Sequence, residues 1–217
     1  MNNNVWTDEY SVIYSADKRR LIKCTNPKIK EYNIISECRI IGEDAFSNCE
    51  HLQQIDLPEG ITSIEKEAFS GCPYLTSIII GNRVTLIREQ TFARCFRLTD
   101  VIVGNRVASI GKRAFFYCIG LTSITIPESV ISISGGAFWC CFGLTRITLP
   151  QKVTSVGDYA FCYCTGLAKI HSKNPVPPNI GDSCFRFVDT AACRLYVPPG
   201  SKKAYQEKWG FENIIEE

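Results

Sequence analysis

The residues of this chain that could do chemistry are its cysteines, which number 12 among 217 residues. Thiolates act as nucleophiles and metal ligands, and paired thiols form disulfides. Six of the cysteines follow one another at intervals of 23 residues: Cys49, Cys72, Cys95, Cys118, Cys141 and Cys164. Such regular spacing predicts one structural position that recurs along the chain, whereas a reactive site needs groups that converge on one point.

Core packing is the first interpretation of this cysteine column, because cysteine is among the most buried residue types and packs as a small hydrophobe. Disulfides between neighbouring copies are an open alternative: strands about 4.8 Å apart lie within disulfide range, although parallel Cβ vectors suit the bond poorly. A tetrahedral metal site needs converging ligands, so we predict no metal and no cofactor. Cys140 and Cys162 stand beside the column at outward positions, and we predict that they are the oxidisable thiols.

No catalytic motif accompanies the cysteines. The two histidines, His51 and His171, are separated by several repeats and cannot share a site in a linear array. The sequence contains no glycine-rich phosphate loop, paired-histidine metal motif or Gly-x-Ser-x-Gly elbow. We therefore predict a protein that is not an enzyme and has no catalytic residues. A thiol-dependent redox sensor, based on Cys140 and Cys162, is the alternative.

Apolar residues recur around each column cysteine at fixed offsets. In the copy around Cys49 they are Phe46, Leu52, Ile55 and Leu57. The pattern Leu-x-x-Ile-x-Leu ends in period-two alternation, which predicts a short strand with one buried face. Turn residues and a second short β-branched segment follow, and a compact helical or 3₁₀ turn leads to the next cysteine. One unit cannot enclose a core, so successive units must stack.

The repeated pattern Ala-Phe-x-x-Cys-x-x-Leu-x-x-Ile-x-Leu-Pro-x-x-Val-x-x-Ile resembles the BspA-like leucine-rich repeats. The resemblance implies a β-rich solenoid, a right-handed coil of stacked parallel short strands with an N-terminal hairpin cap and a C-terminal strand–helix cap. We predict one domain over residues 1–217, with a cap at 1–40, six repeats at 41–172, and a degenerate repeat and cap at 173–217. The hairpin turn is placed at Ala16-Asp17-Lys18, and Ser201 is predicted to be the N-cap of the final helix.

Equivalent positions stack in a solenoid, so the outward residues of the first strand form a surface that we call the strand face. Its charge runs from acidic near the N-terminus to basic near the C-terminus, with two exposed isoleucines between. The predicted partner-binding residues are Asp56, Ile79, Asp100, Ile102, Thr125, Arg146, Thr148, Lys169 and His171. A solvated sheet face without a ligand is the alternative.

A second column holds aromatic residues between the repeated phenylalanine and the position after the cysteine. Its members are Phe96, Phe116, Tyr117, Trp139, Phe142 and Tyr163. Aromatic side chains are enriched at interfaces, so this stripe is a candidate surface for a partner or for a homo-oligomer. The alternative is that the stripe folds inward or lies under a cap.

The composition bounds the remaining function classes. With 24 basic and 22 acidic residues, the net charge of +2 predicts no nucleic-acid partner. No apolar run reaches the roughly 18 residues of a transmembrane helix. The N-terminus has no secretory signal, which predicts a cytoplasmic protein, or a secreted or cell-surface one if a leader has been removed.

The leading functional hypothesis is a non-catalytic interaction module that binds a protein, or as second choice a glycan, through the strand face. The family resemblance implies surface adhesion. An intracellular scaffold or a self-associating repeat protein is the alternative, since reduced thiols suit the cytosol.

Overall fold

A computed structural model describes residues 5–217 of the chain. They form a solenoid of about nine coils with two stacked sheets and a third side made of turns. The N-terminal cap consists of β1 (Val5–Thr7), β2 (Val12–Ser15) and β3 (Arg20–Cys24). β2 and β3 form the predicted antiparallel hairpin, and β1 adds a strand that the sequence did not predict. β3 then pairs in parallel with the first coil.

The regular coils contribute one strand to each sheet, except that the coil of β12 has a single bridge in the strand face. The strand face is built from β4 (Glu31–Asn33), β6 (Gln54–Asp56), β8 (Ser77–Ile79), β10 (Asp100–Ile102), β13 (Arg146–Leu149), β15 (Lys169–Ser172) and β17 (Arg194–Val197). The second sheet contains β5 (Ile40–Ile41), β7 (Ser63–Ile64), β9 (Leu86–Ile87), β11 (Ser109–Ile110), β12 (Ser132–Ile133), β14 (Ser155–Val156) and β16 (Asn179–Ile180). All pairs between successive coils are parallel, as predicted.

Pairing in the strand face is uneven. The strand predicted after Leu121 is present only as a single bridge between Thr125 and Thr148. The hydrogen-bonded ladders of this face join β4 to β6, β8 to β10, and β13 to β15 and β17. The ladder is interrupted between β6 and β8 and again after β10. At both places the type of turn after the strand changes, between a proline type and the Gly-Asn-Arg type found at 81–83 and 104–106.

The third side, predicted as a compact helical or 3₁₀ turn, forms single turns closed by bonds between residues i and i−3. The N–H of Cys49 donates to the carbonyl of Phe46 within its own turn, over 3.1 Å. The N–H of Phe46, however, donates to the carbonyl of Ala68 in the next coil, over 2.7 Å. Because alternate N–H groups bond across coils, a continuous helix cannot form, and the turns build a third ladder along the solenoid.

The interior is made of stacked identical side chains. The phenylalanine rings of successive coils lie nearly parallel, with centroids 5.4 Å apart for Phe46 and Phe69 and 5.3 Å apart for Phe115 and Phe138. The column cysteines lie beside these rings, all buried and all free thiols. Core packing of the column is therefore confirmed in the fold, and no disulfide joins its members.

The C-terminal cap contains β17, the helix α1 (Lys202–Trp209) and β18 (Ile214–Glu216). Trp209 donates its indole N–H to the carbonyl of Pro178 over 3.1 Å, which fixes the helix across the last coil. Ser201 is the N-cap residue of α1, as predicted, and its carbonyl accepts the N–H of Tyr205 over 3.1 Å, but its hydroxyl makes no capping bond and donates to the carbonyl of Pro198. The carboxylate of Glu216 instead accepts from the N–H of Lys202, over 2.9 Å.

Candidate binding surfaces

The strand face has two outward columns whose register follows directly from the strand pairing. Ile102 lies opposite Ile79, Thr148 opposite His171, and His171 opposite Tyr196. Ile79 and Ile102 are 61% and 60% exposed, which is high for large apolar side chains on adjacent strands. All the predicted residues of this face lie at or near the surface, and the register brings them together on one side of the solenoid.

The basic end of the strand face is a row of three cations on adjacent strands. Arg146 lies opposite Lys169, and Lys169 lies opposite Arg194. Among residues 5–217, none of the three takes part in an ion pair. The two carboxylates near this row are engaged elsewhere, Glu217 with His171 over 2.8 Å and Glu128 with Lys173 over 2.6 Å.

Sequence reasoning missed two members of this surface at its C-terminal end. Arg194 extends the row of cations, and the ring of Tyr196 stacks on that of His171 with centroids 4.3 Å apart. Both follow their partners by 25 residues, because the last repeat is longer than the regular 23. The pairing of β15 with β17 places these two residues on the strand face, and the repeat spacing does not predict the register of that pairing.

The acidic end of the strand face opens into a polar hollow of about 490 Å³ under the N-terminal cap. Its lining residues are Tyr10, Glu31, Tyr32, Asn33, Gln54 and Asp56. Glu31, which the sequence did not mark, lies opposite Gln54 and adds a second carboxylate beside Asp56. The hollow rests on a rigid base, since the Tyr32 hydroxyl bonds both Asp8, over 2.5 Å, and Tyr14, over 2.6 Å.

The aromatic stripe lies on the turn side of the solenoid. Phe96, Tyr117, Phe142 and Tyr163 are between 38% and 40% exposed, so they neither fold inward nor lie under a cap. Trp139 is half-buried, and its indole N–H is closed off from solvent without an acceptor among the described residues.

Ring contacts join the centre of the stripe, from Phe116 to Phe142, into one cluster. Phe116 packs against Tyr117 with centroids 4.7 Å apart and against Trp139 at 5.3 Å. The structure adds two residues that the sequence did not mark: Tyr159, stacked on Trp139 at 5.7 Å, and Phe187, stacked on Tyr163 at 4.1 Å. We call this enlarged stripe the aromatic edge: the six predicted residues with Ile119, Tyr159 and Phe187.

The predicted outward position of Cys140 and Cys162 is wrong, because both side chains are buried. Cys140 lies between Tyr117 and Tyr163 in the same column of turn residues, and the Tyr117 hydroxyl is hydrogen-bonded to its thiol. Burial raises the pKa of both thiols, which lowers the fraction of reactive thiolate near neutral pH.

Two buried thiols meet at the junction of the N-terminal cap and the column. The hydrogen bond between Cys24 and Cys49 lowers the pKa of Cys24 to about 7 and raises the pKa of Cys49. The pair therefore shares its first proton loss at a pH below that of an ordinary thiol, at a position that sequence reasoning treated as part of the cap.

The cysteines and histidines of the described chain do not form a metal-binding cluster. Across residues 5–217, no group of three histidine, cysteine or acidic side chains is arranged to hold a metal ion. His171 is engaged by Glu217 and Tyr196, and His51 lies on a distant coil. The solenoid thus presents two extended surfaces, the polar strand face and the aromatic edge.

This architecture defines a leucine-rich repeat solenoid, a class of protein that in general serves as a protein-interaction module and is generally non-enzymatic. The sequence profile of the BspA type leucine-rich repeat region matches residues 23–106 and 85–198, in six copies. The chain therefore belongs to the BspA-type leucine-rich repeat family. Comparison with curated proteins gives no match.

Three solved bacterial structures have a similar fold. A leucine-rich repeat protein from Bacteroides ovatus is 27% identical, with a TM-score of 0.70 over 88% of this chain and 52% of that one. One from Eubacterium ventriosum is 22% identical, with a TM-score of 0.74 over 86% of this chain and 50% of that one. The leucine-rich repeat protein of T. pallidum is 23% identical, with a TM-score of 0.72 over 96% and 94%. The chain thus spans about half the length of the first two.

Residues 5–217 contain one helix, α1, of eight residues. It does not have the length and apolar composition that a membrane crossing requires.

Proposed function

We propose that this protein is a non-catalytic interaction module that binds a protein partner through the strand face. The observation that carries the proposal is the pair of exposed isoleucines, Ile79 and Ile102, on adjacent strands between an acidic and a basic end. Binding surfaces combine an apolar centre with a polar rim, and charges at the rim fix the orientation of the partner.

The charge order specifies the partner surface. A partner that docks on Ile79 and Ile102 meets Asp56 on the side of the N-terminus, Asp100 beside Ile102 on β10, and the row of Arg146, Lys169 and Arg194 on the side of the C-terminus. Complementarity therefore requires a surface that is basic at one end and acidic at the other. A protein supplies both signs more readily than a glycan does, because natural glycans carry mainly neutral or anionic groups.

The biological setting of this binding is either surface adhesion or an intracellular scaffold. Family membership favours adhesion, whereas the twelve free thiols favour a reducing compartment. Glycan binding is the second candidate for the same face, and the polar hollow at Glu31 and Asp56 is the feature that favours it, since its carboxylates and amides suit hydroxyl groups.

Site-specific photo-crosslinking tests the proposal. A benzophenone amino acid at position 102 should capture a protein from extracts of the source cells. The same group at position 131 serves as the control, because Ile131 is 50% exposed but lies outside the strand face. Capture at 102 should be lost when Arg146 and Lys169 are changed to glutamate. Equal capture at both positions, or capture that survives the charge reversal, would contradict binding through this face.

A further inference from the structure

The aromatic edge is a second surface, independent of the strand face, with a large exposed apolar area. Its exposed members are 38% to 48% accessible. With roughly 200 Å² for each large side chain, seven such residues leave on the order of 550 Å² of exposed, mainly apolar surface. That area lies at the upper end of the largest patches on ordinary monomers, about 300–600 Å², which are often functional.

Arginines border this apolar surface along its length. Arg97 lies over the ring of Tyr74 at 4.6 Å and Arg186 over that of Phe187 at 4.8 Å. Arg113 lies 5.4 Å from the centroid of Trp139, and Arg94 precedes Tyr117 in the same column of turn residues. Among residues 5–217, none of these arginines forms an ion pair.

One carboxylate beside the edge is already engaged: Asp158, next to Tyr159 in the chain, accepts the backbone N–H of Asp182 over 2.8 Å. The edge therefore combines an apolar surface with a border of arginines. A guanidinium over an aromatic ring keeps its N–H groups free for a further acceptor, and carboxylate is the acceptor that matches its geometry.

Both the area and the charge argue against a second copy of this chain as the occupant. A stable dimer buries about 800 Å² on each partner, which is more than the edge offers. A two-fold axis across the solenoid would place Arg94 of one copy against Arg186 of the other, and a two-fold axis along it would place Arg94 against Arg94. In each case like charges meet at the rim.

We propose that the aromatic edge binds an acidic, apolar segment of a second protein. The segment places apolar side chains against Tyr117, Phe142 and Tyr163, and its carboxylates pair with the arginines that border the edge. A short segment suits the narrow edge, since a few aromatic anchors supply most of the binding energy of an interface. The protein would then join two partners, one on each surface.

The test uses the full chain and a short synthetic peptide of alternating glutamate, leucine and tryptophan residues, titrated by calorimetry. We expect the acidic peptide to bind at least about tenfold more tightly than the same peptide with lysine for glutamate. The double variant F142S/Y163S should lose at least about tenfold in affinity. The single variant R186Q should lose less, and its loss should shrink at high salt.

The matched control is Ile131→Ser, which removes a more exposed apolar side chain, 50% accessible, from another side of the solenoid and should leave peptide binding unchanged. Circular dichroism verifies that each variant keeps the fold. Equal binding of the two peptides, or full binding by the folded double variant, would overturn the proposal. So would a concentration-dependent dimer in sedimentation that the double variant abolishes, because that result assigns the edge to a second copy.

Discussion

At the scale of single residues, five of the six column cysteines, Cys72 to Cys164, form a hydrogen bond as well as packing. The thiol of Cys118 donates to the carbonyl of Phe92 in the preceding coil over 3.1 Å, and Cys95 and Cys141 do the same to Phe69 and Phe115. The carbonyls of Phe92 and Phe115 also accept a backbone N–H within their own turns. The thiol therefore satisfies a second lone pair that an alanine or valine side chain would leave empty.

The turn residues of the third side repeatedly adopt left-handed backbone conformations. The second residue after the repeated phenylalanine is Gly71 in one coil, with φ 72°, and Arg94 in the next coil, with φ 60°. An L-residue in this region costs about 1 kcal/mol relative to glycine. We expect Arg94→Gly to raise the free energy of unfolding by about that amount, measured by denaturant titration.

Arg106→Gly is the control for this substitution. Arg106 is also an exposed arginine in a turn, but its φ is not positive. Glycine there only adds freedom to the unfolded chain, so the variant should be less stable by about 0.5–1 kcal/mol. Two variants that change stability in the same direction would show that φ at position 94 does not limit stability.

At the scale of elements, the row of cations across β13, β15 and β17 opposes folding. Like charges directly opposite each other on adjacent strands are destabilising, and Lys169 has a cation on both sides. Lys169→Glu replaces two repulsions by two attractions, so we expect it to stabilise the chain by about 1 kcal/mol. Thermal denaturation at low and high salt measures this gain, which should decrease as salt screens the charges.

The control for this row is Lys152→Glu. Lys152 is exposed in the turn after β13, and its counterparts in the flanking coils are Ser129 and Pro175. No gain in stability is expected there. If Lys169→Glu proved neutral or destabilising, the three side chains would have to point away from one another in solution. If our proposed function holds, the stabilised Lys169→Glu variant should bind its protein partner less well.

The elements that repeat were predictable from sequence, and those that break the repeat were not. The spacing around Cys49 to Cys164 predicted the turn and the buried column of every regular coil, and both strands of each except the one after Leu121. It did not predict Arg194 or Tyr196, because the insertion in the last repeat shifts the register. It also misassigned Cys140, since the burial of a small side chain in a turn depends on the size of its neighbours, here Tyr117 and Tyr163.

At the scale of the whole molecule, stability is distributed along the solenoid. Each coil contacts only its neighbours, and the stacked phenylalanines, thiols and backbone ladders repeat the same interactions in every coil. A contribution to the free energy of unfolding that the column cysteines share is therefore summed over the coils. Because the strand face and the aromatic edge lie on different sides of this one frame, the frame holds any two bound partners at a fixed separation.

The proton affinity of the buried thiols makes such a contribution. Burial raises the pKa of Cys95, Cys118, Cys141 and Cys164 well above the ordinary value of 9.0, and that of Cys72 to about 12. In the unfolded chain these thiols ionise near their ordinary pKa. Above about pH 9 the unfolded state therefore binds fewer protons than the folded state, so stability decreases as the pH rises.

The loss amounts to about 1.4 kcal/mol per pH unit for each fully ionised thiol. Five column members together lose roughly 7 kcal/mol per pH unit, which is comparable with the whole stability of a typical domain, about 5–15 kcal/mol. We expect cooperative unfolding between about pH 9.5 and 11, followed by circular dichroism under reducing conditions and reversed on return to neutral pH. Removing one titrating thiol by Cys118→Ala should make the dependence of stability on pH shallower by about one proton. Stability that stayed constant to pH 11 would mean that the column thiols keep their ordinary pKa in the folded protein, contrary to their burial.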